Sequence, residues 1–108
     1  MRYLLVLLVS ACANARDIDA GRAPPADWPQ LEESIVPTTR AEVMRRCPKA
    51  AKYRPAGCAL IYFAPRQCVI LDAGADLAHE RMHCRGYDHY GESAVHDAWE
   101  RYKAGQGL

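Results

Sequence analysis

The chain has 108 residues, with 14 Lys and Arg against 13 Asp and Glu and a formal net charge of +1. That length bounds it to one domain at most. Without Arg2, which falls in a leader, the count is 13 basic and 13 acidic residues, and so balanced a chain shows no drive toward nucleic acid or an anionic surface.

Residues 1–11 read as a secretion signal. Met1-Arg2 is a short positive start, and Tyr3 to Val9 is an unbroken apolar run. That run is too short for the ~20 residues a membrane-spanning helix needs. Val9-Ser10-Ala11-Cys12 resembles the bacterial lipobox. Cleavage before Cys12 would make it the lipid-bearing N-terminus. The protein would then be anchored to a membrane of the bacterial cell envelope, facing the periplasm or the exterior. Ala13-Asn14-Ala15 is the competing site, an A-x-A cleavage that releases a soluble secreted or periplasmic protein. Residues 12–30 follow as lipid-anchor cysteine and flexible linker, with Asp17, Asp19, Gly21, Pro24-Pro25 and Pro29 and few large apolar residues. Trp28 is the exception, able to dock on the domain edge.

The folded domain is expected over 31–108. A first helix can start at Thr38 or Thr39, with Glu42 placed for a capping box if Thr39 is the cap. Val43, Met44 and Cys47 form its inner face, and Pro48 stops it. Lys49 to Gly57 reads as a loop. Arg45-Arg46 with Lys49 and Lys52 reads as a solvated helix face and loop. Cys58 to Phe63 and Cys68 to Leu71 are two apolar runs separated by Ala64-Pro65-Arg66-Gln67, the pattern of a β-hairpin. A second helix-forming stretch begins near Asp76, a ready N-cap, and runs to Arg85, with Leu77 and Cys84 sharing a core-facing stripe. Gly91 breaks the chain, Ser93 can cap a last helix, and Val95, Trp99 and Tyr102 form its buried stripe.

Five cysteines are present. Taking Cys12 for lipidation leaves Cys47, Cys58, Cys68 and Cys84, which an oxidising compartment would pair. Of the three possible connectivities we expect Cys47–Cys58, closing the loop between them, and Cys68–Cys84, tying a strand to the following helix. The alternative role of Cys84 is metal ligation beside His83, but adjacent helical residues point about 100° apart. A domain of roughly 75 residues gains little from its core alone, so disulfides and a metal would supply the missing stability. The expected fold is therefore α+β: one small disulfide-stapled domain, with a β-hairpin packed on the 76–85 helix and a helix at each end.

The 76–85 helix carries the chemistry. His79-Glu80-Arg81-Met82-His83-Cys84-Arg85-Gly86-Tyr87-Asp88-His89 spells H-E-x-x-H-x-x-G-x-x-H. His79 and His83 lie one turn apart and point the same way. Two imidazoles so placed can grip one zinc ion, with Glu80 as general base on water. Gly86 can close the helix in the left-handed conformation and let the chain bring His89 to a third ligand position. The fourth position stays open for water, as in catalytic zinc sites. For this composition the short form arises in roughly one shuffle in a hundred, the extended form in about one in 10⁴–10⁵.

The segment His79 to His89 resembles the zinc-binding consensus of the metzincin metallopeptidases, within the wider zincin group. The resemblance implies Zn²⁺ held by His79, His83 and His89, Glu80 as catalytic base, and hydrolysis of a peptide or protein substrate. It also implies a strand before the metal helix whose free edge pairs with extended substrate, a place taken by the run Cys68 to Leu71. Metzincins carry a methionine turn after the motif, whereas Met1, Met44 and Met82 all precede His89. Asp88 and His96 are alternative third ligands. Asp88, Asp72 or Asp76 can instead hold a ligand imidazole from behind. Tyr87, Tyr90 and Arg85 are candidate donors to an oxyanion. Two functions fit: a zinc metalloendopeptidase, or a zinc-binding envelope lipoprotein without catalysis, a pseudo-enzyme or interaction module. The sequence specifies no oligomeric state.

Overall fold

The computed structural model describes residues 21–89 and 94–106. The elements run β1 (Gly21–Arg22), β2 (Glu32–Pro37), α1 (Arg40–Arg46), a 3₁₀ helix (Pro48–Tyr53), β3 (Gly57–Phe63), β4 (Arg66–Asp72), α2 (Leu77–Cys84), β5 (Asp88–His89) and α3 (Ala94–Gln106). The α+β fold is the expected one. The hairpin forms as β3 and β4, but Phe63 pairs with Arg66, so the connection is two residues rather than four.

The sheet order is β2-β4-β3, with β2 parallel and β3 antiparallel to β4. This corrects one expectation. The strand before α2, β4, is central and has no free edge, because Glu32–Pro37 adds a strand that its composition does not announce. Strand alternation then sorts the side chains. Cys68 and Ile70 stand on one face with Ile61 and Ala59, while Leu71 and Cys58 stand on the other.

Each face is covered by a helix that a disulfide fixes in place. Cys68–Cys84 holds α2 to one face, and Cys47–Cys58 holds the end of α1 to the opposite one. Both are the expected pairs. Closing loops of 11 and 16 residues, each contributes about 3 kcal/mol in the chain-entropy account. The α2 face carries the main core of Leu31, Phe63, Cys68, Ile70, Cys84 and Trp99. Trp28, Phe63 and Trp99 meet there with ring centroids 5.1–5.7 Å apart, and Tyr102 lies 4.8 Å from Phe63. The Val95, Trp99, Tyr102 stripe thus packs as its spacing predicts.

Three further expectations change. Lys49 to Gly57 is not all loop, since Pro48–Tyr53 winds into a 3₁₀ helix with Pro48 at its start. Thr39 caps α1 by accepting the Glu42 N–H, but the Glu42 carboxylate turns to Arg45 Nε at 2.9 Å instead of returning to the cap. Within the expected linker, Gly21–Arg22 pairs with Asp88–His89, and Trp28 enters the core with its Nε1–H on the Cys84 carbonyl at 3.1 Å. Cys12, with the leader, and Gly91 and Ser93 lie outside the described residues.

Candidate metal centre

Asp76 starts α2, its carboxylate accepting the His79 N–H at 3.2 Å. The helix ends at Gly86, whose φ of +96° closes a Schellman motif: Tyr87 N–H reaches the Met82 carbonyl and Gly86 N–H the His83 carbonyl, both at 3.0 Å. Gly86 is required for a second reason. A Cβ there would sit 2.7 Å from both Pro24 Cβ and the Trp28 ring. The tight end sends the chain straight back into β5, which carries His89 under the first two histidines.

The outcome is one convergence. His83 Nε2 lies 3.1 Å from His79 Nε2 and 3.1 Å from His89 Nε2, and the latter two are 3.2 Å apart. His83 Nδ1 is 2.8 Å from the Tyr87 carbonyl, which only accepts, so Nδ1 carries the proton and Nε2 presents a lone pair. A lone pair that faces two further ring nitrogens has no satisfying arrangement of hydrogens for all three. A shared cation resolves it, and these three half-buried side chains can hold one metal ion. Burial pushes the His83 imidazole toward its neutral, ligating form. The Tyr87 carbonyl and Asp88 pull the other way, and His79 and His89 add to the burial effect.

Glu80 is buried on the same helix. Burial raises its carboxyl above the usual range, with His79 opposing and Asp76 reinforcing the shift. Asp88 is buried at 3 % exposure but does not join the cluster. Its Oδ1 accepts the His89 N–H at 2.8 Å, and its Oδ2 accepts Val95 and His96 N–H at 3.1 and 3.3 Å. It therefore caps α3 from a distance and holds the backbone of His89, instead of ligating or backing an imidazole. His96 donates Nε2–H to the Gly86 carbonyl at 3.1 Å, away from the cluster. The group that backs an imidazole is the Tyr87 carbonyl, a main-chain atom with no sequence signature.

Asp72 caps the turn after β4 through Gly74 and Ala75 N–H, so it too faces backbone. Arg85 points to Glu33 at 3.6 Å, as Arg81 does at 3.7 Å, on the flank of α2 away from the histidines. It is not a donor at this site. Tyr87 adjoins the cluster through its main chain, and Tyr90 lies outside the described residues. Comparison with protein-family models, curated proteins and solved structures finds no match for this chain.

Proposed function

We propose that this chain is a zinc-dependent metallopeptidase, exported and lipid-anchored through Cys12, with His79, His83 and His89 as the ligands. One observation carries the reading: three Nε2 atoms converge at 3.1–3.2 Å. Tetrahedral zinc with Zn–N bonds of ~2.0 Å wants ligand nitrogens about 3.3 Å apart, so the donor set fits that ion with little adjustment. Three imidazoles without a thiolate leave a coordination position for water, and the thiols nearest in sequence are already oxidised. The spacing and the Gly86 turn agree with the metzincin-like pattern.

When bound, zinc supplies a Lewis acid that polarises a carbonyl and acidifies water. The chain supplies the rest. Glu80, buried and with its proton affinity raised, accepts a proton from the attacking water at its carboxylate and passes it to the departing amide nitrogen. The Tyr87 carbonyl fixes the His83 tautomer, and Asp88 fixes the His89 backbone.

Substrate has an edge to lie on. Residues two apart on a helix point about 200° apart, so His79 and His83 look away from the Arg81–Glu33–Arg85 flank beside β2. That turns them toward β3, whose outer edge has no strand partner among the described residues. An extended peptide added there would present its backbone to the metal centre. The free rim expected at β4 is thus reassigned to β3.

Glu80→Gln tests catalysis. We expect one zinc per chain and an unchanged fold, with hydrolysis of an unstructured protein substrate reduced by about 10²–10⁴. Undiminished hydrolysis would overturn the mechanism. A wild type that binds one zinc and cleaves nothing across a broad peptide library would make the chain a non-catalytic zinc lipoprotein.

A further inference from the structure

The balanced charge of the whole chain conceals a segregation. From Arg40 to Arg54 the sequence has Arg40, Arg45, Arg46, Lys49, Lys52 and Arg54 against Glu42 alone, six cations to one anion, in a chain of formal net charge +1. All six are exposed, and Glu42 is already engaged by Arg45. The fold gathers them. The 3₁₀ helix places residues three apart on one side, so Lys49 and Lys52 stand together. Tyr53 projects between Lys52 and Arg54 at 62 % exposure, with Lys52 Nζ 5.0 Å from its ring centroid. Cys47–Cys58 fixes this knuckle to the sheet face opposite α2 and the histidines.

We propose that this knuckle docks the folded domain on an anionic phospholipid surface, with the metal centre turned away from the bilayer. The patch offers what such a surface selects. Each Lys or Arg near an anionic leaflet strengthens binding roughly fivefold, and an exposed tyrosine among them suits the headgroup layer. Two disulfides fit an oxidising compartment, outside the cytosol and nucleus, which favours a lipid headgroup over nucleic acid as the anionic partner. Among the described residues no helix is long and apolar enough to cross a membrane.

The chain has three lysines, two on the knuckle and Lys103 on α3 across the sheet, which makes a built-in reference. The full chain is bound to phosphatidylcholine vesicles with or without phosphatidylglycerol, pulsed with an amine-acetylating reagent and read by peptide mass spectrometry. Lys49 and Lys52 acetylation should fall about tenfold on the anionic vesicles only, with Lys103 unchanged and full reactivity restored at high salt. Arg46→Glu with Arg54→Glu should abolish the protection while both disulfides persist by intact mass. Equal reactivity on both vesicle types, protection surviving the double reversal, or equal protection by a duplex oligonucleotide would each overturn the proposal.

Discussion

The two faces of the sheet are built with the same device and used differently. Each has a helix locked to a strand by a disulfide, Cys68–Cys84 on one side and Cys47–Cys58 on the other. The α2 face also buries two carboxylates, Glu80 and Asp88, and crowds three ring nitrogens together. On the α1 face Val43 and Leu71 are buried, and the exposed rim is cationic. Burying a carboxylate or crowding ring nitrogens against one another costs stability. Among the described residues both occur on one face and neither on the other, so the groups suited to chemistry are concentrated on the α2 face.

The contrast can be broken most forcefully at the disulfides. Cys68→Ser with Cys84→Ser, and Cys47→Ser with Cys58→Ser, should each lower unfolding free energy by about 3 kcal/mol in denaturant titrations. Only the first pair should weaken zinc binding, by about tenfold or more, since it frees the helix bearing His79 and His83. Equal losses of affinity would remove the distinction between the faces. Gly86→Ala comes next. A left-handed alanine pressed against Trp28 should cost about 2 kcal/mol and loosen the zinc site with it, seen as a lower Tm in both zinc-free and zinc-loaded chain. The smallest effect is expected on the far face. Thr39→Ala removes the α1 cap for about 1 kcal/mol and should leave the zinc dissociation constant unchanged.

The three-histidine cluster is legible in sequence because its logic is local. His79, His83, Gly86 and His89 lie within eleven residues, and helix periodicity with one glycine suffices to bring them together. The disulfide partners were legible for a related reason, each joining neighbouring elements. What escaped depends on distant partners. Glu32–Pro37 is exposed along its length and shows no apolar alternation, so only its pairing with β4 makes it a strand. Gly21–Arg22 forms two pairs with β5 in a segment whose prolines read as tether. Asp88 resembles a ligand by type, yet one oxygen takes the adjacent His89 amide and the other takes amides seven and eight residues away, which no spacing rule foretells.

The proposed site needs three imidazoles to share one ion. Zinc-edge X-ray absorption on the chain loaded with one equivalent, beside His89→Ala, tests it directly. We predict three imidazole nitrogens and one oxygen ligand at ~2.0 Å, with one imidazole lost in the variant. Sulfur in the first shell, or a wild-type spectrum unchanged by His89→Ala, would contradict it.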